Sequence, residues 1–163
     1  MSDLRYCVGG YIDYRCIKSS IEVSKNYQLF TNFEFGYFIK PQNLMGINLN
    51  YNQLTSVSSE KEKDMIWVIS GFYRRHFNRF FIKIGGGYGR KGLIKSSKTE
   101  FMVNVLSLDV GTGIIINVTE NIKIPLEINY SYRTYYYSSY ELFSKNQYVN
   151  DLLLKIGINY YFK

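Results

Sequence analysis

Apolar and polar residues alternate with a period of two along most of this chain, and the alternation is clearest between residues 151 and 162. One face of that segment is apolar from end to end: Leu152, Leu154, Ile156, Ile158, Tyr160 and Phe162. The opposite face mixes charged, small and larger residues: Asp151, Leu153, Lys155, Gly157, Asn159 and Tyr161. Alternation of this length predicts a β-strand with two different environments. A narrow transmembrane barrel provides both, because apolar side chains meet lipid while small and charged ones fill the lumen.

The same alternation predicts eight strands, at residues 4–16, 27–40, 43–56, 65–77, 79–90, 101–117, 121–137 and 148–162. Three short, turn-like connections, at residues 40–43, 77–79 and 118–121, alternate with four longer polar segments, at residues 17–26, 57–64, 91–100 and 138–147. This layout predicts an all-β fold, an eight-stranded antiparallel up-and-down transmembrane β-barrel that forms one domain over residues 1–163. In such barrels the short turns and both termini face the periplasm, and the long loops face outside.

Two places fit the alternation less well. Residues 65–69 are apolar on both faces. Only the contrast between Tyr73 and the charged Arg74 therefore indicates which face of the fourth strand points outward. Pro125 cannot donate to a strand ladder, and we expect it at a bulge or at the rim, near the start of its strand. Elsewhere the faces are clear, and they predict that Leu108, Ile128 and Ile156 point outward to lipid.

Composition supports an all-β protein. The chain holds 17 tyrosines and 11 phenylalanines but only two prolines, and aromatic residues favour strands. No run of about 18 apolar residues is present, so the sequence predicts no transmembrane helix. The net charge of +7 would suit a nucleic acid or an anionic membrane surface. The charges are scattered along the chain, and we therefore expect no nucleic-acid partner.

The start of the chain and its two cysteines add little. Met1, Ser2 and Asp3 lack the features of a signal peptide. An exported precursor carries one, so we expect a mature or trimmed form, although this start alone favours a cytosolic protein. Cys7 and Cys16 lie on opposite faces of one predicted strand, about 30 Å apart, and are predicted to be unbridged thiols.

Charged residues on the predicted lumen face nearly balance in sign. Charges in a low-dielectric interior must be paired or hydrated, and eight strands leave an interior just wide enough for side chains. We therefore expect an interlocked ion-pair network in the lumen, formed by Asp13, Glu34, Arg74, Lys83, Asp109, Lys123, Glu127, Arg133, Asp151 and Lys155. The network is interpreted as a structural filling, and a proton or ion path is the alternative.

No catalytic, cofactor-binding or metal-binding residues are predicted. The glycine-rich segment 85–89 has no following helix and no Gly-Lys-Ser/Thr, so it is interpreted as a strand. His76 lies beside a short turn, whereas a hydrolase of the outer leaflet needs its histidine near the opposite rim. No Cys/His cluster suggests a metal. The run 135–137 with Tyr140 is interpreted as an interfacial aromatic girdle.

The longer polar segments are rich in lysine: Lys18, Lys25, Lys61, Lys63, Lys91, Lys95, Lys98 and Lys145. One interpretation is that they lie in solvated loops. The other is that they contact lipopolysaccharide phosphates or an acidic host surface, as basic patches do.

Several segments together resemble the small outer-membrane β-barrel proteins of Gram-negative bacteria, of the OmpA/OmpX type and the porin-family outer membrane protein beta-barrel domain. The segments are 36–39 before the 41–43 turn, 44–47, 71–77, 81–89 and 157–162. The resemblance implies a monomer in the bacterial outer membrane, surrounded by lipid and lipopolysaccharide. It also implies that Tyr160 and Phe162 form the signal read by the barrel assembly machinery, although Lys163 follows the aromatic residue that normally ends such chains.

We expect a non-enzymatic role in envelope integrity, adhesion or host-surface interaction through the loops. Members of this group share a fold rather than a function, so the role does not follow from the fold. Two alternatives stay open at the level of sequence. One is a soluble lipocalin-like ligand-binding barrel with its apolar faces inward. The other is a lipid-modifying enzyme of the outer membrane.

Overall fold

A computed structural model describes residues 6–15, 26–57, 61–95, 98–136 and 147–162. They form eight strands: β1 (Tyr6–Arg15), β2 (Asn26–Lys40), β3 (Asn43–Val57), β4 (Lys61–Phe77), β5 (Phe80–Lys95), β6 (Lys98–Asn117), β7 (Ile122–Tyr136) and β8 (Gln147–Phe162). Each strand pairs antiparallel with the next, and β1 pairs with β8, so the sheet closes into a barrel in simple chain order. The predicted fold class and the predicted number of strands are confirmed.

Three tight connections lie at one end of the barrel, which we call the turn end, and the opposite end is the loop end. The turn-end connections fall at residues 41–42, 78–79 and 118–121, as predicted. Asn78 has a φ of 58°, in the left-handed region that asparagine tolerates in tight turns. Thr119 Oγ1 accepts a hydrogen bond of 2.9 Å from the Ile122 N–H and so closes the third turn.

Apolar side chains cover the outside of the barrel between its two ends. Leu108, Ile128 and Ile156 are each more than half exposed (54%, 54% and 52%), while Glu127 and Lys155 are buried inside. A lipocalin-like barrel has the opposite arrangement, with its apolar faces turned inward, so that alternative is wrong. Within the described residues no helix is long and apolar enough to cross a membrane.

Aromatic residues flank this apolar band at both ends. At the turn end, the ring of Tyr6 lies 5.4 Å from the rings of Tyr37 and Phe162. At the loop end, Tyr132 stacks on Tyr148 at 6.0 Å. On β8, Tyr148 and Tyr160 are twelve residues apart, which at the usual rise and a tilt of about 40° separates the two girdles by about 30 Å. That height matches the hydrocarbon core of a bilayer.

Two of the predicted long loops are largely strand. β3 continues to Val57 and β4 begins at Lys61, where a loop over 57–64 was predicted. Likewise β5 continues to Lys95 and β6 begins at Lys98, within the predicted loop 91–100. The predictions were wrong because these hairpins extend beyond the apolar band, where a strand no longer needs one apolar face and the alternation disappears. The other two predicted loops, 17–26 and 138–147, fall almost entirely outside the described residues.

One local prediction agrees with the structure and another needs correction. Pro125 lies near the turn end of β7, as expected for a rim position, but the β7–β8 register is the same on both sides of it and contains no bulge. Of the tyrosine run assigned to a girdle, Tyr136 is exposed whereas Tyr135 is buried inside the barrel. Adjacent strand residues point to opposite faces, so both cannot face the membrane. Tyr137 and Tyr140 lie outside the described residues.

Candidate functional site in the barrel lumen

Four charged side chains from four strands meet at the centre of the lumen. They are Glu34 of β2, Arg74 of β4, Lys83 of β5 and Glu127 of β7, and we call them the lumen quartet. Arg74 Nη2 lies 2.7 Å from Glu34 Oε1, and Lys83 Nζ lies 2.5 Å from Glu34 Oε2. Both cations lie 3.9 Å from Glu127 Oε2. Two carboxylates and two cations, all buried, therefore form one compact group whose charges cancel.

Neighbouring polar groups hold the quartet in place. Arg74 Nη2 donates a hydrogen bond of 2.7 Å to the Tyr11 hydroxyl. Asn129 Nδ2 donates one of 3.1 Å to Glu127 Oε1. Arg74 Nε and Nη1 and Glu127 Oε2 have no hydrogen-bond partner among the described residues of the protein. Hydrogen bonds therefore support only part of the group, and they offset only part of its desolvation.

An aromatic layer supports the quartet at the turn end. The Arg74 guanidinium carbon lies 4.7 Å from the centre of the Phe81 ring, and Lys83 Nζ lies 4.7 Å from the centre of the Phe72 ring. These are cation–π distances, and such contacts gain strength away from water. The sequence contained this signal, because Phe72 and Phe81 each lie two residues from the quartet cation of their own strand and therefore share its face.

The aromatic layer continues into a cluster of apolar side chains nearer the turn end. Cys7, Leu44, Phe72 and Tyr161 pack together there, with Phe38 against them. The His76 ring lies 5.7 Å from the Phe38 ring and 6.2 Å from the Phe81 ring. His76 is therefore buried in this cluster, which we call the turn-end plug, and it lies far from the loop end.

Three aromatic rings of the lumen lie over glycines on the adjacent strand. The cross-strand pairs are Phe72 with Gly46, Phe81 with Gly113, and Tyr11 with Gly157. A Cβ placed on these glycines would lie only 2.7, 2.8 and 2.6 Å, respectively, from a ring carbon. A backbone carbonyl oxygen would lie closer still beside Gly46 and Gly113, and equally close, at 2.6 Å, beside Gly157. Glycine at these positions therefore makes room for the neighbouring backbone as well as for the rings.

A second apolar cluster lies toward the loop end. Val68, Val103, Val105 and Tyr135 are buried together, with Ile66 and Val149 packed against them. Between this cluster and the quartet is a polar cavity, lined by Asn48, Asn50, Ser70, Asp109, Asn129 and Lys155 among others. Asn32 Nδ2 donates to Asn50 Oδ1 at 2.8 Å beside it. The polar middle of the lumen therefore lies between two apolar layers.

The other residues predicted for the ion-pair network are spread along the lumen. Arg133 Nη1 lies 3.8 Å from Asp151 Oδ2 near the loop end. Lys123 Nζ lies 4.5 Å from the Tyr161 ring at the turn end. Lys155 and Asp109 line the polar cavity. Asp13 pairs in register with Lys155, but its side chain lies outside the described residues.

The residues proposed as an assembly signal lie on the outer surface. Tyr160 and Phe162 are exposed on β8 at the turn end, with ring centres 6.1 Å apart. Phe162 pairs in register with Tyr6 on β1. The two aromatics therefore lie beside the seam where the last strand closes onto the first.

A closed eight-stranded barrel with an apolar band outside, two aromatic girdles and a charged lumen defines the architecture of an outer-membrane β-barrel protein. No family model and no curated protein matches the sequence. Solved structures do match, at low identity.

Neisserial surface protein A is similar with a TM-score of 0.54 and 15% identity, covering 98% of this chain and 96% of that one. The N-terminal β-barrel domain of Pseudomonas aeruginosa OprF is similar with a TM-score of 0.51 and 12% identity, covering 98% of this chain and 100% of that one. A third similar structure is that of Ail, the attachment invasion locus protein of Yersinia pestis, in complex with the heparin analogue sucrose octasulfate. Its TM-score is 0.53 at 16% identity, and the match covers 96% of this chain and 97% of that one. The chain thus has the fold of the small outer-membrane β-barrels.

Proposed function

We propose that this chain is a non-enzymatic, monomeric protein of the bacterial outer membrane that presents a basic surface at its loop end to acidic ligands. Lipopolysaccharide phosphates and acidic saccharides of a host surface are the ligand classes that fit. Envelope integrity or adhesion would be the corresponding role. The turn end would then face the periplasm, as in other barrels of this type.

The observation that carries the proposal is the charge of the two hairpins that rise beyond the apolar band. Their segments 61–64, 90–95 and 98–100 hold six lysines and arginines and three acids. Lys95 pairs in register with Glu62 on one side and with Lys98 on the other. Antiparallel pairing thus gathers basic positions that are far apart in sequence onto one ribbon, and basic surfaces of this kind attract anionic ligands.

Lys91 shows how the ribbon is anchored to the barrel. Its Nζ lies 3.1 Å from Asp64 Oδ2 and 5.8 Å from the Tyr135 ring. Strand pairing of the backbone lowers the conformational entropy that a segment loses on binding, compared with an unpaired loop. The heparin analogue bound by Ail is an acidic saccharide on a protein of the same fold, which supports this class of ligand.

Binding of the refolded chain to immobilised heparin tests the proposal. We expect binding that weakens steeply between 50 and 500 mM salt, because its origin is electrostatic. The variant Lys95→Gln/Lys98→Gln should bind several-fold more weakly. Lys40→Gln/Arg75→Gln removes the same number of charges at the turn end and should lose less heparin binding than the loop-end double variant does. No binding at low salt, or equal losses in both variants, would contradict the proposal.

We also infer that the terminal strand is read by the barrel assembly machinery through Tyr160 and Phe162. Their exposure on the outer face of β8, beside the β1–β8 seam, supports this. An unpaired strand in lipid costs several kcal/mol per backbone group, so this seam must close before the barrel is stable.

A further inference from the structure

A group of cations lies on the outer surface of the barrel at the turn end, apart from the basic loop end. Lys40, Asn43 and Arg75 pair in register across β2, β3 and β4 and so form one row. Lys40 and Arg75 are exposed, and two strand spacings put their backbones about 10 Å apart. Arg79 is exposed in the adjacent β4–β5 turn.

Backbone contacts fix this row in place. The His76 N–H donates to the Gln42 carbonyl at 2.8 Å, which ties the β2–β3 turn to β4. The Ile115 N–H donates to the Arg79 carbonyl at 2.7 Å, which ties the β4–β5 turn to β6. The cations are therefore carried on braced turns, and little backbone ordering is needed for them to bind a ligand.

Apolar and aromatic side chains adjoin the cations on the side of the membrane. The Arg75 guanidinium carbon lies 5.1 Å from the centre of the Phe77 ring, so the charged head lies at the level of the rim. Phe77 and Phe80 are exposed beside it, and Ile82, the register partner of Arg75, is exposed too. A cationic head above an apolar wall matches a lipid, which has a phosphate above acyl chains.

Cations outnumber carboxylates among the described residues at the turn end. In the described residues of the three short turns and the strand ends that flank them, Glu120 is the only acid, and it lies on the β6–β7 turn, beyond β5. No described carboxylate therefore competes for Lys40, Arg75 or Arg79 in their own turns. The patch is complementary to an anion.

We propose that Lys40, Arg75 and Arg79 form a binding site for the headgroup of an anionic phospholipid, with the acyl chains against Phe77, Phe80 and Ile82. The proposal rests on the membrane location given under Proposed function. The site would select phosphatidylglycerol over the zwitterionic phosphatidylethanolamine, because only the former has a net negative charge. In the orientation proposed above, it would face the periplasmic leaflet.

Native mass spectrometry of the refolded full chain in a non-ionic detergent tests this site by titration with dioleoyl phosphatidylglycerol or phosphatidylethanolamine. Each cation near an anionic lipid surface contributes about fivefold in affinity. Lys40→Gln/Arg75→Gln should therefore bind phosphatidylglycerol about 25-fold more weakly, with little change for phosphatidylethanolamine. Lys95→Gln/Lys98→Gln removes the same number of charges at the loop end, and we expect it to lose much less phosphatidylglycerol binding than Lys40→Gln/Arg75→Gln does.

Three outcomes would overturn the proposal. They are equal affinity of the wild type for both lipids, equal losses in the two double variants, and retention of glycerol phosphate as strong as that of the lipid. The last would indicate a site for soluble phosphate rather than for a lipid. Insertion of the wild type into phospholipid vesicles is measured in parallel. Failure to insert counts against the proposed membrane function, whereas insertion without lipid selectivity counts against this site alone.

Discussion

Replacing Glu34 with glutamine is the most direct test of the lumen quartet. Glu34 is the only member in close contact with both cations, at 2.7 Å to Arg74 and 2.5 Å to Lys83. Without its charge, Arg74 and Lys83 share Glu127, 3.9 Å from each, and the group carries a net charge of +1. Removing one partner of a buried ion pair costs about 3–5 kcal/mol. Glutamine retains the shape and one acceptor, so we expect a loss of about 3 kcal/mol for Glu34→Gln.

The free energy of unfolding can be measured by urea titration of the barrel refolded into phospholipid vesicles. Trp67 is the only tryptophan and is exposed on the outer surface of β4, so its fluorescence reports loss of contact with lipid. The matched control is Asp64→Asn, which also removes one carboxylate charge. Its ion pair with Lys91 is about one-third exposed, and exposed pairs contribute about 0–1 kcal/mol.

A double variant separates charge imbalance from simple loss of contacts. Glu34→Gln/Lys83→Gln leaves Arg74 and Glu127, whose charges cancel. We expect this variant to be at least about 1 kcal/mol more stable than the sum of the single losses predicts, since contacting charges couple. If Glu34→Gln costs no more than Asp64→Asn, or if the losses simply add, the quartet is not the interlocked group described above.

Three further predictions concern the membrane face, the lumen and assembly. Ile128→Arg should cost about 2–4 kcal/mol in the same urea titration because an arginine near the midplane faces hydrocarbon, and an unchanged stability would contradict an outward Ile128 in lipid. The wild type should give no large, stable conductance in planar bilayers, since side chains fill the lumen of an eight-stranded barrel; porin-like steps would refute this. Phe162→Ala should reduce the heat-modifiable folded form in the outer membrane of cells while refolding in detergent is less affected, and normal assembly in cells would remove the signal role.

The period-two pattern sufficed for the strand number, the faces and the turn end. Its success follows from the bilayer, because each strand must present one apolar face over about 9–11 residues. Where the strands leave the band this constraint ends, which is why the hairpin segments around Lys61 and Lys95 were predicted to be loops. The alternation along the seventh strand assigns Tyr135 to the lumen. The prediction was wrong because the neighbouring tyrosines were assigned together to the aromatic girdle.

The sequence alone could not predict which side chains contact each other across the lumen. Glu34 and Arg74 come from strands separated by β3, and their contact depends on the register and tilt of the closed barrel. Alternation places both inward but says nothing about relative height. The aromatic layer was not predicted for a different reason. Phe72 and Phe81 share a strand face with Arg74 and Lys83, and the alternation shows this in the sequence. The prediction for that face, however, used only its charged residues.

The origin of the quartet on β2, β4, β5 and β7 has a consequence for the order of folding events. A partly formed sheet of β2 to β5 can bring Glu34 to Arg74 and Lys83, but its open curve leaves all three in water, and Glu127 is still absent. The charges lose their hydration only when the first and last strands join and the lumen becomes narrow. Pairing of β1 with β8 and dehydration of the quartet charges therefore occur together. A barrel in which these two strands paired in the wrong register would retain hydrated, poorly matched charges at its centre. The quartet, which contacts the seam strand β1 through the hydrogen bond from Arg74 to Tyr11, therefore lowers the stability of an incorrectly closed barrel from inside the lumen.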